Sequence, residues 1–343
     1  MSVIRCTILF ILCGAMACSA GETSQSARGA LPLPPQKPAP LPDEQEFIKR
    51  TCDAILPLDE KGFQRLPPPK PGEWLAHYRE EPQSLERYKL RATIRPSPTR
   101  RTIVLQPLGT FDKEGAQILQ LMKEYAEIFF QLPARVEPNL AWDESITKLT
   151  RQLPVSRRVG RYSKQYDGEV IMDGFLKQRV PADAAVYLGI TLEDLCTSDT
   201  NYVFGVASFK DRVGVYSLAR YFPEFWGLPR VEDSTTKALR RACKVLNHET
   251  GHMFGISHCV FYRCSMNGSN TLEETDRAPV HFCPLCQRKL LWNIGYDPLK
   301  RFKELQTFYA KNKLDEEAEW MTQRIENWRK LDEQERIKAV TDE

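Results

Sequence analysis

No apolar run in this chain is long enough to cross a bilayer, for which a helix needs about 20 residues. No segment repeats at a fixed period, which excludes stacked-repeat architectures. Charge of one sign is also lacking: 48 Lys and Arg stand against 45 Asp and Glu, a formal net charge of +3. That balance provides no basic face for nucleic acid and no reason to expect a strongly acidic substrate. Histidine is scarce, with five in all. Hydrophobic residues are not: at 42% of 343 residues they can fill one large domain or two modest ones.

Three of the five histidines fall in one stretch, His248-Glu249-Thr250-Gly251-His252-Met253-Phe254-Gly255-Ile256-Ser257-His258, with Cys259 directly after it. A helix is expected from about Ser234, as N-cap, to Phe254. Lys237, Arg240, Arg241, Lys244 and Asn247 share one side of it. Ala238, Leu239, Ala242, Val245, Leu246 and Met253 share the other, with Glu249 toward the apolar side, where poor solvation raises a carboxyl pKa. Gly255 ends the helix, because glycine enters the left-handed conformation at no steric cost.

His248 and His252 are four apart, so on a helix their Cβ atoms lie roughly 5–6 Å from each other, which suits two imidazoles on one tetrahedral zinc. A zinc that performs chemistry takes three protein ligands and keeps one position open. The turn at Gly255 lets His258 supply the third. Zinc lowers the pKa of a water in the open position to about 7, and Glu249 stands next to the first ligand to take its proton. A bare HExxH recurs by chance; the long form with Gly and a third His is specific.

Ten cysteines are present. Cys259 and Cys264, followed by Cys283-Pro284-Leu285-Cys286, have the spacing of a closed four-thiolate zinc site. Two disulfides are the rival reading in an oxidising compartment. Cys196 and Cys243 read as buried small apolar residues. Cys52 reads as a plain thiol rather than a latency switch. His77 and His281 read as solvated or outer-shell groups and Trp74 as packing.

The N-terminus has one positive charge, Arg5, before a short apolar run from Cys6 that ends in Ala15-x-Ala17. This pattern reads as a signal peptide over 1–17, or as a lipoprotein signal with Cys18 as the acylated residue. Residues 18–43 are a Pro-rich tether. Residues 44–99 form a lead-in, with a short helix around 44–56 and a second Pro cluster at 67–71. The catalytic domain is expected over 100–300 and a charged helical tail over 301–343, solvated from about 312. Strands are expected at 102–105, 134–137, 184–190, 202–208 and 214–219, the last two joined by a turn at Lys210-Asp211-Arg212. Helices are expected at 112–131 and 169–179. The order of these elements implies an α+β fold with a mixed sheet and helices packed on it.

From His248 to Cys286 the sequence resembles the archaemetzincin family of zinc metallopeptidases. The likeness rests on the long HExxHxxGxxH motif, the immediate Cys259, the gap to Cys264, Met266 and the Cys283/Cys286 pair. Gly268-Ser269-Asn270, Glu273-Glu274, Asp276-Arg277, Phe204-Gly205-x-Ala207-Ser208 and the segment from Val213-Gly214 to Ala219-Arg220-Tyr221 share it. The likeness spans about 72–300 and is dense over 184–291. The signal-like run and the tether depart from the family pattern. The resemblance implies a metzincin-like fold: a twisted mixed sheet, an active-site helix and a zinc-stapled C-terminal lobe. It also implies Met266 beneath the catalytic metal and a sheet-edge strand near 213–220 that pairs with an extended peptide.

The function expected is a zinc-dependent peptidase using a zinc-activated water. Glu249 would be the general base, His248, His252 and His258 the catalytic-zinc ligands, and Cys259, Cys264, Cys283 and Cys286 the ligands of a second, structural zinc. A non-catalytic zinc-stapled peptide-binding module and a zinc amidohydrolase acting on a non-peptide amide are the alternatives. The retained Glu249 counts against the first, since a binding site needs no general base. The partner expected is a peptide or protein, with no nucleic acid, a lipid anchor through Cys18 as an option, and a monomeric chain. Export is the expected placement (secreted, periplasmic or lipid-anchored), with the cytoplasm as the alternative.

Overall fold

The computed structural model describes residues 5–9, 62–92, 94–147, 150–154 and 162–330, the first of these as backbone. The rest of the signal-like run, Cys18, the tether, the expected helix at 44–56, Cys52 and residues 331–343 lie outside them. Among the described residues no helix is long and apolar enough to cross a membrane.

In chain order the elements are β1 (Arg5–Leu9), α1 (Trp74–His77), α2 (Leu85–Arg91), β2 (Thr102–Leu108), α3 (Lys113–Phe130), β3 (Ala134–Val136), β4 (Thr150–Gln152) and β5 (Lys164–Asp167). A helical stretch over 168–179 follows. After it come β6 (Ala184–Thr191), β7 (Leu195–Cys196), β8 (Val203–Ser208), β9 (Val213–Ser217), α4 (Ser234–Met253), α5 (Leu272–Arg277), α6 (Pro284–Ile294), α7 (Pro298–Lys311) and α8 (Asp315–Lys330).

The strands form one mixed sheet in the order β3-β2-β6-β9-β8-β7-β5-β4, with β1 also paired to β8. β3, β2, β6 and β9 run parallel; β8 is antiparallel to β9. β6 is buried along its whole length, which explains its unbroken apolar run where a half-exposed strand would alternate. Successive β2 residues serve opposite faces: Ile103 and Leu105 join the core under α3 and α4, while Val104 and Leu108 join a second core capped by Ile171, Met172, Phe175 and Leu176. The Asp112 side chain caps α3 by accepting from the Gly115 N–H, and the apolar face from Ile118 to Phe130 is buried. This is the α+β fold with a mixed sheet and an active-site helix.

Three expectations are corrected. The edge strand is not near 213–220: β9 lies between β6 and β8 and is bonded on both sides. The strand at the site is β8; on its side away from β9, β7 pairs at Val203 and β1 pairs along the strand, with Arg5 opposite Ser208 and Thr7 opposite Val206. Both segments have the same apolar β-former pattern, so composition could not rank them. Ser234 is the first residue of α4 rather than its cap; its Oγ accepts from the Val231 N–H, and Asp233 stands at the N-cap without a side-chain capping bond. The segment after 312 is not a solvated helix. Leu314, Ala318 and Met321 of the α8 region are buried in the main core, and Arg240 of α4 pairs with Glu317 at 2.5 Å. Buried positions at 314, 318 and 321 follow the 3.6-residue period, but the charged residues between them masked it.

Candidate metal centres and active site

α4 carries His248, Glu249 and His252 on its last two turns. The helix then breaks. Gly255 takes φ +88, a conformation side chains rarely adopt, and the chain turns back through Ile256 to bring His258 beside the other two rings. Ring centroids of the three histidines lie 4.4, 5.2 and 4.9 Å apart. All three are buried.

Each Nδ1 is held by an acceptor. His248 Nδ1 meets the Ser265 carbonyl at 2.8 Å, His252 Nδ1 the Ile256 carbonyl at 2.7 Å, and His258 Nδ1 the Glu80 carboxylate at 2.6 Å. Since a carbonyl only accepts, the proton of His248 and of His252 sits on Nδ1. Burial pushes His248 down to about 3, with His258 adding to the shift, and drives His252 well below the ordinary histidine range, so neither ring carries a second proton near neutral pH. Their two Nε2 lone pairs therefore face each other at 2.9 Å. Two lone pairs that close repel unless a cation lies between them. The donor set fits zinc, which takes neutral imidazole nitrogens and whose histidine ligands are commonly fixed through the other ring nitrogen.

Glu249 follows His248 on the helix and lies beneath the sheet. Its side chain is 1% exposed, and neither carboxyl oxygen has a hydrogen-bond partner. A Cβ built on Gly205 of β8 would lie 2.9 Å from Glu249 Oε1, so the carboxyl lies directly under that strand. Burial pushes its pKa up to about 8. An acid so placed holds its proton longer than a solvated glutamate and is basic enough, once ionised, to accept one from water. Phe209, just after β8, packs on the His252 ring at 5.2 Å. From the other side Met266 presses on the helix at Gly251: a Cβ there would come within 2.5 Å of the Met266 sulfur. The contact explains a glycine inside a helix, where it costs about 1 kcal/mol relative to alanine.

Cys259, Cys264, Cys283 and Cys286 also converge. Their sulfurs and the three histidine nitrogens form two separate groups, within each of which the donor atoms lie within 4.8 Å of one another. None of these four is in a disulfide, and neither is Cys196 or Cys243. Cys259 and Cys283 sulfurs are 3.6 Å apart. Backbone N–H groups of Cys283 and Cys286 donate to the sulfurs of Cys264 and Cys283, which favours thiolate over thiol. Burial raises all three shifted thiols; at Cys259 the three neighbouring thiols outweigh it and bring the net direction down. Four buried sulfurs on two turns fit a closed zinc site.

The two clusters share backbone. Cys259 adjoins His258, and its N–H donates to the Met266 carbonyl at 2.8 Å. Glu80, in the lead-in, has no signature in the sequence, because its partner is 178 residues away. His281 is half-buried and stacked on Trp320 at 3.7 Å. His77 only tilts against Tyr78. Cys196 and Cys243 are buried.

A profile of peptidase family M54 matches residues 146–291. Archaemetzincin-2 of Pongo abelii is 33% identical over 272 residues, covering 68% of this chain and 71% of that protein. The chain belongs to the archaemetzincin family. It is accordingly a zinc metallopeptidase, acting on peptides or proteins. Archaemetzincin-2 of Homo sapiens is 32% identical over 272 residues, with the same coverage of 68% and 71%. The archaemetzincin of Thermococcus kodakarensis is 44% identical over 113 residues, 33% of this chain and 59% of that one. The solved archaemetzincin structure from Methanopyrus kandleri is 26% identical with a TM-score of 0.44, covering 59% of this chain and 99% of that one. The M54 match takes in β4 to β9, α4 and the cysteine cluster; Glu80 and the rest of the lead-in lie outside it.

Proposed function

We propose that this archaemetzincin cleaves peptide bonds at a zinc held by His248, His252 and His258, with Glu249 as general base. A second, structural zinc is held by Cys259, Cys264, Cys283 and Cys286. The observation that carries the reading is the pairing of two neutral imidazoles, Nε2 to Nε2, with an adjacent buried carboxyl that has no hydrogen-bond partner. Zinc, when bound, supplies the Lewis acidity that activates water and polarises the scissile carbonyl. Glu249 accepts the proton of the attacking water and passes it to the leaving amine. Burial under β8 supports this role by raising its basicity. β8 would align the substrate by adding its extended backbone as a strand; the antiparallel pairing of Arg5–Leu9 supports that mode.

The same proposal includes an exported, monomeric chain, with Cys18 as a site for a lipid anchor. Support comes from Arg5, the apolar run behind it and the Ala15-x-Ala17 ending. Cleavage after Ala17 would remove β1 and leave that side of β8, beyond the β7 pairing at Val203, open to substrate.

Metal analysis and proteolysis together test the reading. Two zincs per chain are expected, one lost readily to a chelator along with hydrolysis and one resistant. Restoring zinc would restore cleavage. A single zinc, or cleavage that survives loss of the labile metal, would contradict it.

A further inference from the structure

His258 differs from the other two histidines in how it is held. His248 and His252 sit on α4, and their Nδ1 atoms meet carbonyls of Ser265 and Ile256, within or just beyond the same motif. His258 stands on an irregular turn, and a side chain from the lead-in meets its Nδ1. We propose that Glu80 is the positioning residue for the third zinc ligand, and that residues 74–83 are therefore part of the catalytic centre rather than a preface to it. The proposal rests on the reading of His258 as a ligand.

Glu80 Oε1 is gripped from two sides. It accepts from His258 Nδ1 at 2.6 Å and from the Trp74 indole N–H at 2.7 Å. Trp74 is itself fixed. Its ring meets the His258 ring edge-on at 5.1 Å, and a Cβ at Gly268 would come within 2.5 Å of it. Its backbone N–H donates to Glu274 Oε1 at 2.9 Å. A few residues on, Gln83 holds the backbone of the turn: its amide donates to the Gly255 carbonyl at 2.9 Å, and its oxygen accepts from Ser257 N at 3.1 Å and Lys289 Nζ at 3.0 Å. The turn that delivers His258 is thus clasped twice, by Gln83 on its backbone and by Glu80 on its side chain. A carboxylate on Nδ1–H keeps the Nε2 lone pair facing the cluster, and its charge makes that nitrogen a stronger donor to a cation than a carbonyl would.

The test uses full-length chain carrying Glu80→Gln, Glu80→Ala or His258→Ala. Affinity of the labile site for zinc is measured by competition with a colorimetric chelator, beside retention of the resistant zinc and the melting temperature of chelator-treated protein. Glu80→Ala should bind the labile zinc 10–100-fold more weakly, the usual cost of losing such an outer partner. Glu80→Gln, which keeps an acceptor without the charge, should fall between it and wild type. Both should retain the resistant zinc, and Glu80→Gln should melt as wild type does once the labile zinc is removed. Wild-type zinc affinity in both Glu80 variants, with His258→Ala strongly impaired, would overturn the positioning role and leave His258 as a ligand. Wild-type affinity in His258→Ala would overturn the ligand reading and this inference with it.

Discussion

Lys244 gives the sharpest pH signature at the scale of single residues. It is 3% exposed, and its ammonium donates to the Thr275 and Ala278 carbonyls. Burial, helped by Arg240, pushes it from an ordinary 10.5 down to about 7. Between those values the unfolded chain binds the proton and the folded chain does not. Stability from this group therefore rises with pH from about 7 to 10.5, by at most about 1.4 kcal/mol per pH unit. Chemical denaturation across that window should show the slope in wild type and lose it in Lys244→Met. Gly251 makes a second residue-scale prediction. Gly251→Ala drives a methyl toward the Met266 sulfur, and overpacking of this kind costs about 1–3 kcal/mol. Denaturant midpoints should show that loss, and Met266→Ala in the same chain should recover part of it.

Among the elements, α4 was the most legible in sequence. Its motif fixed the helix, and the spacing of His248, His252 and Gly255 fixed where the turn falls. What its polar stripe does was not legible. Arg241 bonds Asp276, and Asn247 bonds Tyr125 and the Val280 carbonyl, so the polar side is used inside the fold. Periodicity reports which side is polar, but not whether another element covers it. The same gap hid the burial of α8. Glu80 was illegible for a different reason: a lone glutamate has no spacing to read, and its role exists only once the lead-in folds over the turn. The cysteine segment between α4 and α6 carries the element-scale prediction. Cys286→Ser should reduce bound zinc from two to one. Because structural zinc supplies on the order of 10 kcal/mol to small sites, the segment should lose cooperative melting. The labile zinc should weaken as well, since Cys259 continues directly from His258 and bonds Met266. Metal analysis and thermal melting check both outcomes.

For the whole molecule the arrangement is a sheet whose strand β8 overhangs a site built from distant parts of the chain. Glu80 comes from the lead-in, Gly205 from the sheet, His248 to His258 from α4 and its turn, and Met266 from the cysteine segment. β1 lies along the side of β8 where an extended substrate would add. A tethered strand competes at an effective concentration on the order of millimolar. Chain beginning at Cys18 should therefore show a lower KM for peptides than chain that retains residues 1–17, with kcat unchanged. Steady-state kinetics on the two forms checks this, and N-terminal sequencing of protein recovered from the producing cells shows which form exists there.

The central claim is that Glu249 is the base of a zinc peptidase. It is tested most directly by exposing a peptide library to zinc-loaded wild type and to Glu249→Ala at equal zinc content, and counting new chain ends by mass spectrometry. Removing a general base costs about 10²–10⁴-fold in rate. The account predicts abundant new ends with wild type and a loss of that size or greater in the variant, with its zinc intact. Equal cleavage by the two proteins would contradict it.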